Sequence, residues 1–129
     1  MPGCALSPYY NRVVDKDIAN RRFTLAEARK MLPAVQELTA EAAKDAEALA
    51  AVIDDIDEDD PERGVLGAEL KLIVDDWAAR IREMGLEAKG PWLVDFDNGD
   101  GYYCWQHPEP SLSHYHGYED GFAGRMKIM

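Results

Sequence analysis

Apolar residues recur at three- and four-residue spacing along the first half of the chain: Val35, Leu38, Ala42, Ala46, Leu49, Val52, Ile53 and Ile56. That period draws one apolar stripe along a long helix. The helix has a start signal in Thr24, followed three residues later by Glu27, a capping box. Pro33 lies inside the pattern; it lacks an N–H and crowds the preceding turn, which predicts a kink or break near Leu32. The segment "DDIDEDDPERG" (residues 54–64) ends the pattern, with Asp60 placed to cap a second helix and Pro61 in its first turn. That helix carries Leu66, Leu70, Ile73, Trp77, Ile81 and Met84, although Gly64 and Gly67 weaken its first turns. Gly85 followed by Leu86 reads as a left-handed stop with its apolar contact. Two helices of similar length joined by a short loop predict an antiparallel hairpin over 24–85.

From Lys89 the period changes. "PWLVDF", "GYYCWQ" and "LSHYHGY" are short, aromatic and β-branched, with turn residues between them. Asn98-Gly99 is a favourable hairpin turn, and "HPEP" (residues 107–110), with two prolines, must be a loop. The expectation is a three-stranded antiparallel meander over 91–118 and a Gly-rich tail over 119–129. Residues 1–22 show no clear period and are expected to form an irregular extension. The fold class is therefore α+β: one domain over 23–129, a helical hairpin followed by a small meander.

Composition narrows the function. The 129 residues suit one domain, and 47% apolar content allows a sizeable core. No run approaches the length of a membrane helix, and "MPGCALSPYY" lacks the basic and apolar regions of a secretory signal. Cys4 and Cys104 suggest no paired framework, which points to a reducing cytoplasm. The net charge of −11 disfavours nucleic acid and anionic lipid as partners. Between Glu37 and Glu62 there are 11 acidic residues and one base, Lys44. An isolated hairpin leaves an apolar seam, so the expected function is that of a homo-oligomeric interaction module, for example a dimeric four-helix bundle or coiled coil, with a metal-binding protein or metal-dependent enzyme around Cys104 and His116 as the alternative.

Strand alternation sorts the chemistry-bearing side chains. Asp95, Cys104 and His116 fall on one face of the sheet if the register allows. A carboxylate, a thiolate and an imidazole would suit zinc, iron or copper; the same types would also serve a cysteine nucleophile activated by His116. His114-x-His116 is a two-ligand spacing on a strand, of a kind that also arises by chance. The commoner role for such residues is structural: histidines on an exposed or interface strand, and Cys104 as a small buried apolar group. The acidic loop does not fit a calcium loop: counted from Asp55, position six is Asp60 and position twelve is Leu66. "GFAGR" (residues 121–125) has no strand-to-helix setting for a nucleotide fingerprint. Its Arg125 either binds an anionic ligand or pairs with Glu109, Glu119 or Asp120. Trp77, Trp92 and Trp105 are expected in the core.

"FTLAEARKMLP", "GLEAKGPWLVDF", "YYCWQHPEP" and "YHGYEDGFAGR" together resemble a family of small bacterial proteins of unknown function, DUF2203. The similarity covers about residues 23–125. The family has no established activity to transfer, but the resemblance ranks residues. Asp95, Phe96, Cys104, Trp105, Glu109, His116, Gly121, Phe122, Gly124 and Arg125 match its motifs. Pro108 and Tyr115 depart from them. The resemblance thus adds Glu109 to the metal-ligand candidates and ranks His107 and His114, which do not match, below His116.

Overall fold

The computed structural model describes residues 21–129, so the expected extension over 1–22 lies outside the described residues except for Arg21 and Arg22. Helix α1 (Leu25–Asp54) starts at the capping box. The Thr24 hydroxyl accepts from the Glu27 N–H at 3.1 Å, and the Glu27 carboxylate accepts from the Thr24 N–H at 2.9 Å. Helix α2 (Pro61–Glu83) is capped by the Asp60 carboxylate on the Glu62 N–H. Gly85 (φ 87°) stops it, and Leu86 folds back with its N–H on the Ile81 carbonyl.

The break expected at Pro33 does not occur, and α1 runs through it. Pro33 points outward, so the carbonyl left without its partner can be served by water, while Leu32 and Val35 on either side are buried and hold the helix down. The buried line of α1 runs through Ala28, Leu32, Val35, Thr39, Ala43 and Ala46. Leu38 and Ala42, expected at the centre of the stripe, flank it half-buried. Thr39 tolerates full burial because the Trp77 indole N–H donates to its hydroxyl at 2.9 Å. With Ala42 and Ile73 lining the same groove as Leu38 and Trp77, the two helices run antiparallel.

The sheet has five antiparallel strands, not three: β1 (Glu87–Gly90), β2 (Leu93–Asp97), β3 (Tyr102–Gln106), β4 (His114–His116) and β5 (Met126–Lys127), ordered β1-β2-β3-β4-β5. The two extra strands are the edges. "EAKG" and "MK" are too short and too polar to show alternation, and main-chain pairing to β2 and β4 makes them strands. The tail expected over 119–129 thus contains a 3-10 turn (Phe122–Gly124) and then β5. Asn98 closes the β2–β3 turn, its side-chain oxygen accepting from the N–H groups of Asp100 and Gly101 at 2.8 Å each.

One sheet face turns to the helices. Val94, Phe96 and Trp105 from it join Phe23, Leu32, Val35, Trp77, Ile81 and Leu112 in a single core. Trp92 packs edge-on to Trp77 with ring centroids 5.0 Å apart. Helix α1 also grips the β3–β4 loop: the Gln36 amide donates to the Glu109 and Pro110 carbonyls, and Arg29 donates to the Leu112 carbonyl. The opposite sheet face carries the polar residues.

Candidate functional site

The register fixes which of these polar side chains meet. Glu87 lies opposite Asp95, Asp95 opposite Cys104, Cys104 opposite His114, and His114 opposite Lys127. One row of side chains therefore crosses all five strands on one face. In the neighbouring row Asp97 faces Tyr102, and Tyr102 faces His116. Continuing the β4–β5 pairing by one residue sets Arg125 opposite His116. Gly101 lets the β2–β3 turn approach the end of β4 closely, since a Cβ there would lie 2.5 Å from the His116 carbonyl oxygen.

Asp95, Cys104 and His116 converge. Each offers one ligand-type atom, and the three atoms lie within 4.8 Å of one another. All three residues are buried, at 2%, 0% and 4% exposure. Among the described residues no helix covers this face; long side chains do. Lys89 reaches over the Tyr102 ring at 4.5 Å, with its ammonium 4.0 Å from Asp95 Oδ2. Tyr102 leans on the His116 ring with centroids 5.4 Å apart.

The hydrogen bonding of His116 is unusual. Its Nδ1 is 2.8 Å from the Gly117 carbonyl oxygen, which can only accept, so Nδ1 carries the proton. Its Nε2 is 3.1 Å from Asp95 Oδ2, another oxygen. A neutral imidazole has one N–H, so a second positive entity must lie between Nε2 and Oδ2: a proton or a metal ion. Asp95 Oδ1 is buried without a hydrogen-bond partner among the described residues. The Cys104 thiol stands beside the carboxylate without closing a hydrogen bond to it. Burial pushes the Asp95 carboxyl above its usual range, although Cys104, His116 and Lys89 pull the other way. Burial, then the Asp95 charge, push the Cys104 thiol up to about 12, opposed by Arg125.

Glu109, the fourth metal-ligand candidate, is not brought into this cluster. Arg125 holds it by a two-pronged ion pair, Nη1 to Oε1 at 3.0 Å and Nη2 to Oε2 at 2.8 Å. The Gln106 N–H adds a third bond to Oε1 at 2.8 Å. Of the two readings of Arg125, the ion pair to Glu109 is the one formed within the chain. His114, ranked low from sequence, sits directly across from Cys104, its Nδ1 buried without a hydrogen-bond partner among the described residues and 3.9 Å from Glu109 Oε2. His107 lies edge-on to Trp105, away from the cluster. Sequence reasoning missed Lys89 and Tyr102 as cover for the site. Lys89 sits on an edge strand with no pattern to reveal it, and Tyr102 reads as one aromatic among several.

The fold and site define a class: a two-helix, five-strand α+β protein whose sheet buries a carboxylate, a thiol and an imidazole together. The chain belongs to DUF2203, a family described as an uncharacterized conserved protein, whose model matches residues 21–128. No curated protein and no solved structure matches it. Among the described residues no helix is long and apolar enough to cross a membrane.

Proposed function

We propose that this is a metal-binding protein in which Asp95, Cys104 and His116 hold one divalent transition ion, zinc ahead of iron or copper. The observation that carries the reading is His116 with both ring nitrogens facing oxygens. Metal-ligating histidines donate their second N–H to a carbonyl or carboxylate, which fixes the tautomer and frees the other nitrogen for the ion. The Nδ1–H to Gly117 bond does this, and it leaves Nε2, Asp95 and Cys104 as the ligand set. A tetrahedral zinc ion would hold such ligand atoms about 3.5 Å from one another, a spacing that lies between the 3.1 Å from Nε2 to Oδ2 and the 4.8 Å limit of the cluster. Two anionic ligands offset the charge of a divalent ion. Three protein ligands leave a fourth position, which in zinc sites of this ligand number is taken by water.

A thiol enzyme is the weaker reading. A reactive cysteine needs an accessible thiolate, whereas Cys104 is fully buried and its thiol is pushed up to about 12. His116 Nε2 is turned to Asp95 Oδ2 at 3.1 Å and makes no hydrogen bond to the thiol.

Metal analysis of the purified protein is expected to find about one equivalent of metal per chain, with zinc addition raising the melting temperature of metal-depleted protein. D95N separates binding from folding. It removes a buried charge while keeping the shape, so the variant folds but neither retains metal nor responds to zinc. A metal-free wild type whose melting is indifferent to zinc, iron and copper would sink the reading.

A second role is compatible with the first: self-association through the helical pair. Val52, Val65 and Leu72 are 51%, 62% and 66% exposed on the half of the helices beyond the core.

A further inference from the structure

Asp95, Cys104 and His116 are buried, so an ion reaches them only when a covering side chain moves. Tyr102 is not that side chain. It is 9% exposed, with its ring packed on the His116 ring at 5.4 Å and edge-on to the Tyr118 ring at 5.1 Å. Lys89 differs in three ways. Its side chain is 38% exposed. Its ammonium stands 3.3 Å from Glu87 Oε1 and 4.0 Å from Asp95 Oδ2, both longer than the ~2.9 Å of a close N–H···O bond. Its backbone belongs to edge strand β1, and it is the residue that the pairing skips where the register with β2 shifts between Ala88 and Gly90. An irregularity of this kind bends the strand and re-aims a side chain. Ala88 packs against the core and anchors the strand, while Glu87 and Lys89 on either side of it turn to the polar face.

We propose that Lys89 is the gate of this site: its stem roofs the cluster, its ammonium is tethered to Glu87, and an ion enters or leaves when the side chain swings into solvent. The proposal rests on the metal reading above and deepens it. The side chain suits the task. A flexible four-carbon stem carries the ammonium from the cluster to water while the core stays covered. The two carboxylates serve the two states. In the empty site the ammonium offsets the Asp95 charge from 4.0 Å. A divalent ion on Asp95 repels it, and Glu87, itself 38% exposed, then keeps hold of it. The Tyr102 ring, 4.5 Å from the ammonium, is a third contact that draws it back over the cluster. Opening breaks only these weak contacts. Moving Asp95, Cys104 or His116 instead would unpair the centre of the sheet. Lys89 therefore sets how fast the ion exchanges, and the three ligands set how tightly it is held.

The test times zinc exchange in the full-length protein: release from loaded protein to an excess of a zinc-chelating dye, and uptake by metal-free protein. K89A is expected to speed both several-fold, so that their ratio, the affinity, changes by less than either rate. E87Q, which cuts the tether and keeps the roof, should speed both by less, at most the roughly fivefold that an exposed ion pair is worth. K89R keeps stem and charge and should stay near wild type. Exchange in K89A at the wild-type rate would overturn the proposal. So would faster release with unchanged uptake, since the lysine would then only support Asp95. A second arm needs no metal. K89A and K89M lack the same charge and differ in the stem alone, so the rate at which neutral iodoacetamide alkylates Cys104 in metal-free protein reports access to the cluster. The alkylated peptide is read by mass, apart from that of Cys4. K89A should react several-fold faster than K89M, and equal rates would overturn the gate. If wild type takes up no zinc, the metal reading fails by itself, and Lys89 as the gate to the cluster stands or falls on that alkylation comparison alone.

Discussion

Glu109 is ionised in a setting built for the anion. Burial alone would raise its carboxyl, but the Arg125 fork, the Gln106 N–H and the Arg125 charge outweigh burial and hold it below the usual 4.5. The sign of the linkage follows. A depressed carboxyl contributes stability that is present above 4.5 and is lost as the pH falls through the folded-state value. Denaturant unfolding of wild type and E109Q is therefore expected to show a stability gap near neutral pH that narrows steadily below 4.5, since protonated Glu resembles Gln. A gap independent of pH would mean that the carboxylate's charge contributes nothing. Much of the residue-scale chemistry was legible in the sequence. Alternation sorted the side chains within each strand, so that Asp95, Cys104 and His116 would share a face if the register allowed. Their meeting depends on register, which turns and pairing set and no single strand shows. The partnership of Glu109 and Arg125 joins a loop to the start of an edge strand, a contact that sequence offered only as one of several ion pairs.

Helix α1 shows where pattern reading misses by a fraction of a turn. The expected stripe followed Leu38, Ala42 and Leu49, and the buried line instead passes through Thr39 and Ala43. A threonine reads as polar until its partner is known, and the Trp77 indole 38 positions away is that partner. The helix pair is therefore pinned by a buried polar bond as well as by apolar packing. Thr39→Val keeps the shape but leaves the indole N–H buried with no acceptor, which costs about 1–3 kcal/mol. Urea unfolding should show that loss as a lower midpoint with an unchanged slope; a loss well under this range would mean that water reaches the indole. Pro33 supplies the converse lesson. The breaker was legible, but the burial of Leu32 and Val35 that overrides it was not. The caps at Thr24, Asp60 and Gly85 were legible because they use local chemistry alone. The edge strands β1 and β5 were not, because their pairing is tertiary.

At the scale of the whole molecule, the core occupies one end of the helical pair. Between Ala46 and Trp77 no residue is fully buried, and Leu49, Ile53, Ile56, Leu66, Leu70 and Ile73 form a half-buried line beside exposed Val52, Val65 and Leu72. A second copy laid against this line would complete a four-helix bundle and remove that surface from water, at about 25 cal/mol for each Å² of apolar area. Charge opposes it. From Glu47 to Asp75 each chain carries ten acidic residues against Arg63 and Lys71, so two copies bring like charge together. Exposed charges are screened by salt while apolar burial is not weakened by it, so the balance should move in one direction. Sedimentation is expected to show association that strengthens as sodium chloride is raised. Leu72→Glu should abolish it at every salt level, by placing another negative charge on the apolar line. Asp59→Asn, at the tip, should strengthen it at low salt and leave it unchanged at high salt. A chain that sediments as a monomer at high concentration in both low and high salt would rule out this face as a self-interface.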